Sequence, residues 1–395
     1  MLRQTVFGIY IHIPFCIQRC HYCDFATYAK DQIAPNTDYV DHLIQEARMR
    51  RSLIPYKKVD SVYFGGGTPS LLPAEEIGRI LSALQDLDFE FTNNCEITLE
   101  VNPATLDSQK SKLLKSFGVN RLSVGSQTFD DELLKACNRE HNSEHTLQTL
   151  SLIADDFDNY SLDLLFSLPK QNMPGLAKDL EVVKKVSPPH VSAYCLTLPN
   201  KHPMNEGRCS EEEQIEMFDV IKMELKSLGL DRYEISNFSR PGRASVHNSI
   251  YWTDHSYWGL GLSAHSYLNK PDWGHRFWNP SSYETYLSMV KALKDASSIV
   301  ESYPKGSWEK LSREASLTDF CHTHLRLQSG LQRNSLRQKF GATDGEEVER
   351  RARDLEQEGL LIDSGQGWSL TERGVLLSNR VFAKLLFSSD AIDRG

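Results

Sequence analysis

The sequence has no apolar run near the ~18 residues that a membrane-spanning helix needs. An integral membrane protein is therefore not expected. Positive charge is not in surplus either: 44 Lys and Arg face 53 Asp and Glu, a formal net charge of -9. That balance argues against broad attraction to nucleic acid or to an anionic membrane surface. Low-complexity tracts are missing, and so are repeats in the range of about 20–50 residues that would mark a solenoid. Cysteine is sparse. Eight in 395 residues are too few for a disulfide-stapled secreted domain. The apolar stretch from Phe7 to Phe15 has no basic leader beyond Arg3 and no small-residue cleavage site, so it does not read as a signal peptide. A reducing compartment, the cytoplasm, is the expectation. What remains is 40% hydrophobic and 25% charged, which excludes a disordered or fibrous chain.

Six β-rich segments punctuate the first half: Gly8–Ile13, Ser61–Phe64, Glu96–Val101, Arg121–Gly125, Ser161–Phe166 and Val191–Leu198. The intervals between them suit helical crossovers to parallel strands rather than hairpins. One such crossover starts at Pro73, then Glu75 and Glu76, with Ile77, Ile80, Leu81 and Leu84 at helical spacing. Repeated β-α units predict an α/β fold with a parallel barrel, and six units predict a partial (βα)6 barrel. Past residue 205 the pattern changes. Ser210 and Glu213 form a capping box before an amphipathic helix that ends at Gly229. An aromatic-rich extension from Tyr233 to Tyr286 follows. The chain then turns helical and charged and closes with a hairpin around Gly365-Gln-Gly367, like a winged helix. That segment holds 14 basic and 15 acidic residues from position 301 onward, so packing or a lid is expected there rather than nucleic-acid contact. The expected division is 1–205, 206–300 and 301–395.

Chemistry concentrates after the first strand. Cys16, Cys20 and Cys23, at CxxxCxxC spacing, can hold three corners of a [4Fe–4S] cube from one loop. A zinc site completed by His12 or His21 is the alternative at this point. After the second strand comes Gly65-Gly-Gly-Thr-Pro, in which Gly66, Gly67 and Thr68 let backbone approach a ligand closely.

Together these two motifs resemble the radical S-adenosylmethionine superfamily, in which the cysteine trio binds the cluster and the Gly-Gly-Thr-Pro turn holds the methionine amino group. The resemblance extends to the HemN-like branch over roughly residues 8–290. It implies that Tyr10 packs beside the cluster and that Glu100 meets the methionine end of S-adenosylmethionine. It further implies that Gln127 and Asp163 bind ribose hydroxyls and that Arg139 pairs with the methionine carboxylate. Tyr22, inside the cysteine loop, joins this cofactor-facing set. A carboxylate for an ammonium and a guanidinium for a carboxylate are also the expected chemical pairings. Cys95 and Cys137 read as buried small hydrophobes.

Two features depart from the coproporphyrinogen dehydrogenases of that branch. Those enzymes resemble CxxxCxxCxC, whereas Phe25 stands at the fourth place here, and only 15 residues precede Cys16. Both match the shorter HemW-like sister group, regarded as haem chaperones. That group's HNxxYW element is present as His247-Asn-Ser-Ile-Tyr251-Trp252, which implies haem contact by His247. His265 is a further imidazole expected near the cofactor cavity. The expectation is thus a haem chaperone that carries a cluster and S-adenosylmethionine and passes haem to an acceptor protein, membrane-associated acceptors included. The rival is an oxygen-independent coproporphyrinogen III oxidase. A radical tRNA-modifying enzyme would want a basic RNA-binding module, which the charge balance lacks.

Overall fold

The computed structural model describes residues 6–33, 37–295 and 297–388. Six strands form the centre of one sheet: β1 (Phe7–Ile13), β2 (Lys58–Gly66), β3 (Glu90–Val101), β4 (Arg121–Gln127), β5 (Tyr160–Phe166) and β6 (His190–Cys195). They lie in chain order, and every neighbouring pair is parallel. These are the six expected segments, with β2 and β3 starting earlier and β6 ending at Cys195 instead of Leu198.

Helices supply the crossovers: α1 (Thr37–Arg50), α2 (Ala74–Asp86), α3 (Ser108–Ser116), α4 (Asp131–Ala136), α5 (Ser143–Asp156) and α6 (Met173–Val186). Pro73 sits at the N-cap of α2, Glu75 and Glu76 in its first turn, and Ile77, Ile80, Leu81 and Leu84 on its buried face. On α7 (Glu211–Ser227), the Ser210–Glu213 capping box forms as the sequence predicts. Parallel strands covered by helices are apolar on both sides. Phe7, Ile9, Ile11 and Ile13 of β1 are all completely buried, and each such side chain contributes about 1.5–3 kcal/mol.

The sheet does not end with the six strands. Beyond β6 it adds β7 (Asp231–Arg232) and β8 (Asn237–Ser239), both antiparallel. The aromatic-rich extension contributes α8 (Val246–Trp252) and then β9 (Ser256–Leu260), which pairs parallel with the far side of β1. Antiparallel strands β10 (His265–Leu268), β11 (His275–Trp278) and β12 (Trp308–Lys310) continue that flank, with α9 (Tyr283–Ala292) between the last two. Twelve strands result.

A second core, built around Phe320, Phe340, Val348, Leu355 and Trp368, holds the C-terminal unit together. Its elements are α10 (Arg313–Arg326), α11 (Arg333–Gln357, kinked at Gly341) and a small sheet of β13 (Leu331–Gln332), β14 (Leu361–Asp363) and β15 (Gly367–Leu370). The expected hairpin is β14–β15, turning at Gly365 with φ +80°. Arg326 of this unit covers the Trp252 ring at 4.5 Å, and Lys339 pairs with Asp254 at 2.7 Å. The main sheet thus runs on through residues 231–310, across both boundaries of the three-part division, which we retain only as a proposal.

Candidate functional site

The loop after β1 is closed by a short parallel pairing of Phe15–Cys16 with Tyr28–Ala29. Between these ends Cys16, Cys20 and Cys23 are all free thiols, Cys16 buried and the other two partly exposed. Burial pushes the Cys16 thiol up, while the hydroxyls of Thr68 and Thr27 pull it down. His12 is not available to complete a zinc site. Its Nδ1 lies 3.1 Å from the Tyr10 hydroxyl and its Nε2 2.9 Å from the Ala26 carbonyl. His21 Nδ1 is turned onto the Ala136 carbonyl at 3.1 Å. Three thiols from one loop fit a cube with an open fourth corner better than a four-ligand ion.

The glycine turn lies against this loop. Gly66 has φ +111°, and a Cβ there would come within 2.5 Å of the His12 ring. A Cβ at Gly67 would lie 2.6 Å from the Phe15 carbonyl oxygen. Glycine is therefore required at both positions, and the backbone is left open toward a cavity of about 570 Å³. The three cysteines, Tyr22 and the Gly66–Thr68 turn line one side of it. Glu100 and Gln127 from the ends of β3 and β4, Asp163 from the middle of β5 and Arg139 from the turn after α4 line the other. Sites at the C-terminal ends of parallel strands are where such sheets place their ligands.

Each polar group is held in place. The Tyr63 hydroxyl donates to Glu100 Oε1 at 2.8 Å, and the Gly66 N–H donates to Oε2 at 3.1 Å. Burial, helped by nearby Asp163, raises the Glu100 carboxyl to about 7. Asp163 accepts from Ser123 at 2.8 Å and from Ser161 at 2.9 Å, and burial raises it as well. Arg139 donates to the Gly125 carbonyl at 2.7 Å and approaches Cys20 Sγ at 3.4 Å, while its buried Nε has no partner. Gln127, at φ +65°, swings its amide over Gly125 beside Arg139. A carboxylate for an ammonium, an unsatisfied guanidinium for a carboxylate, an aspartate for a diol and three thiols fit a cluster that carries S-adenosylmethionine.

Two expected members lie elsewhere. Tyr10 does not line the cavity; it sits one layer down β1, with its hydroxyl on His12 and its ring 6.2 Å from that of Tyr63. His247 is 1% exposed and also lies outside the lining. Its Nδ1 is 2.8 Å from the Ser61 hydroxyl and its Nε2 2.8 Å from the Tyr251 hydroxyl, so both ring nitrogens are engaged. Burial holds the imidazole neutral, down to about 3. The cause is the anchoring of α8: the Glu96 carboxylate accepts from the Val246 and His247 N–H groups at 3.0 and 3.1 Å and from the Ser245 hydroxyl at 3.2 Å. That anchor turns His247 toward β2 and leaves only Asn248 of the motif on the cavity. His265 lines a different cavity altogether.

Sequence reasoning passed over Arg121 and Tyr63. Arg121 is 2% exposed and lines the cavity, its Nε ion-paired with Glu96 at 3.8 Å but without a hydrogen bond. The signal was there: a guanidinium at the head of a buried strand is costly unless it serves something inside.

The sheet, the cysteine loop and the cavity above the strand ends define a radical S-adenosylmethionine protein, and residues 10–183 match the model of the Radical SAM superfamily. Residues 311–377 match the HemN C-terminal domain. "Heme chaperone HemW" of Bacillus subtilis (strain 168) is 30% identical over 95% of this chain and 98% of the relative. The protein of that name from Lactococcus lactis subsp. lactis (strain IL1403) is 33% identical over 98% of each chain. The chain belongs to the HemW family. Among solved structures, coproporphyrinogen III oxidase (HemN) from Escherichia coli superposes with a TM-score of 0.81 at 22% identity, covering 97% of this chain and 90% of that one. This likeness is one of fold.

Proposed function

We propose that the chain is a haem chaperone: it binds haem, carries a [4Fe–4S] cluster with S-adenosylmethionine, and transfers the haem to an acceptor protein. The observation that carries the cofactor half is the convergence of three free thiols, a glycine cradle, Glu100 and Arg139 on one cavity. The haem half rests on relatives named as haem chaperones that align over nearly their whole length.

Cys16, Cys20 and Cys23 would ligate three irons. Glu100 would take the methionine ammonium, Arg139 its carboxylate, and Gln127 and Asp163 the ribose hydroxyls, with Tyr22 and Thr68 closing the sides. When bound, the cluster supplies one-electron chemistry to S-adenosylmethionine. Phe25, 64% exposed on the cavity rim where the dehydrogenases resemble a fourth cysteine, favours the chaperone over the coproporphyrinogen oxidase reading. Among the described residues no helix is long and apolar enough to cross a membrane, so a membrane-associated acceptor would be met at the surface of this chain.

The deciding experiment is anaerobic reconstitution followed by two assays on one sample. One haem retained per chain with coproporphyrinogen III left untouched is the expected result. Formation of protoporphyrinogen IX at enzymatic rates would replace this reading with the oxidase.

A further inference from the structure

The segment His247-Asn-Ser-Ile-Tyr251-Trp252 stands beside the cysteine cavity without a role in it so far. We propose that this segment forms a wall of the S-adenosylmethionine site: Asn248 binds the ligand directly, and His247 is a positioning residue that sets the Glu100 carboxylate through Tyr63. The inference rests on the S-adenosylmethionine half of the proposed function and adds two residues to that site.

Three observations support it. First, His247 packs on the residue that holds Glu100. Its ring stacks on that of Tyr63, with centroids 5.0 Å apart and planes 24° apart. Its Nδ1 lies 2.8 Å from the hydroxyl of Ser61, two residues before Tyr63 and so on the same face of β2. Tyr251 backs the imidazole from the other side, 2.8 Å from Nε2. The Tyr63 hydroxyl in turn donates to Glu100 Oε1 at 2.8 Å, so the phenol reaches the carboxylate along a line that the imidazole fixes. Packing of α8 on β1 is close as well: a Cβ on Gly8 would sit 2.8 Å from Ile250 and 3.2 Å from His247 Nδ1.

Second, one strand holds both ends of the arrangement. Glu96 and Glu100 are four residues apart on β3 and share a face. Glu96 fastens the start of α8 by accepting from Ser245, Val246 and His247, and Arg121 on the next strand supplies its countercharge. One carboxylate anchors the segment; the other receives what the segment positions.

Third, Asn248 lines the cavity together with Tyr63, Glu100 and Arg121. Its backbone N–H is held by the Ser245 hydroxyl at 3.3 Å, but its carboxamide has no hydrogen-bond partner among the described residues. A donor and an acceptor are therefore both open to a ligand. The second cavity, a hollow of about 500 Å³ on the antiparallel flank, is the reverse case. It is open and hydroxyl-lined, and its buried amide, Asn279, is engaged by Arg50, Glu46 and the Gly261 carbonyl.

The test is calorimetric titration of S-adenosylmethionine into the reconstituted full-length protein, with iron per chain showing that each variant keeps its cluster. His247→Ala should weaken binding about tenfold, the scale of a lost hydrogen bond to a charged group, and Tyr63→Phe should do the same. The double variant should be no weaker than either alone, because both changes remove one interaction. His247→Phe, which returns a ring to Tyr63, should recover most of the loss. Asn248→Ala should weaken binding by about three- to tenfold. Ser249→Ala, on the same helix but outside the cavity lining, should match the parent. Losses that multiply in the double variant, or a His247→Phe protein as weak as His247→Ala, overturn the positioning role by reducing His247 to general packing. Parent-like affinity in Asn248→Ala overturns the direct contact. The S-adenosylmethionine reading survives both results; a parent chain that holds its cluster but no S-adenosylmethionine removes that reading and the inference together.

Discussion

The parallel half of the sheet and its antiparallel flank each carry a cavity, and the two are built differently. In the parallel half, polar residues arrive one strand end at a time: the glycine turn after β2, Glu100 on β3, Gln127 on β4, Asp163 on β5. The strands themselves set the spacing, and Glu100 and Asp163 are each bonded to a neighbour on the adjoining strand, Tyr63 and Ser123. In the flank, the wall is fixed from behind by a buried network reaching in from α1. Arg50 donates to Glu46, Asn279 and the Ser302 hydroxyl and carbonyl, while Glu46 accepts from Tyr286 and from the Gly261 N–H. The first cavity is thus tied to local motif, the second to distant packing. Substitutions in the two should therefore fail in different ways.

The largest contrast concerns the cysteines. Replacing Cys16, Cys20 or Cys23 by Ala should abolish the cluster outright, whereas Cys321→Ala, deep in the C-terminal core, should leave it intact. Iron and sulfide analysis per chain checks this, and a variant of the trio that keeps four irons would break the comparison. Next in size is the support of the second cavity. Arg50→Ala should cost about 3–5 kcal/mol of folding stability, because it strands a buried Glu46 carboxylate with 0% side-chain exposure. Urea unfolding measures it; a loss below about 1 kcal/mol, the range of exposed pairs, would mean that the network is not what fixes the wall.

A smaller effect is expected from Arg139→Ala, which should weaken S-adenosylmethionine binding by about 2–4 kcal/mol without unfolding the chain. Calorimetric titration of the reconstituted protein decides it. The subtlest test is pH. Burial raises the Glu100 carboxyl to about 7 in the free site, and the ligand's ammonium needs the carboxylate. Affinity should therefore climb as pH rises through about 7, then fall once the ligand's α-amino group loses its proton near about 8. Glu100→Gln should lower affinity and remove the rising limb; an unchanged profile would take Glu100 out of the site.

These differences also explain how much could be read from the residues alone. The six parallel strands, the cysteine loop, the glycine cradle and the groups at the strand ends were legible because each is local: a strand, a turn and one side chain within a few positions. His247 was misplaced because its direction is set by Glu96, 151 residues away, which fastens the start of α8 and rolls the imidazole onto Ser61. Tyr10 was misplaced by one layer, a distinction that alternation along β1 does not encode. The Ser-Tyr-Trp-Gly-Leu stretch of β9 read only as part of an aromatic-rich extension, since its pairing to β1 is visible only in three dimensions. The place of His265 depended on the same extension and was lost with it.

That pairing also sets a timetable. Ser256 docks beside Phe7, so one side of the first strand made stays unpartnered until about 250 further residues exist. At ribosomal speeds of roughly 5–20 residues per second, the interval lasts roughly 10–50 s. Throughout it, a strand whose Phe7, Ile9 and Ile11 end up completely buried presents an open backbone edge, the kind that recruits other chains. A ribosome stalled before residue 256 would hold a nascent chain with its cysteine loop already made and its founding strand still sticky.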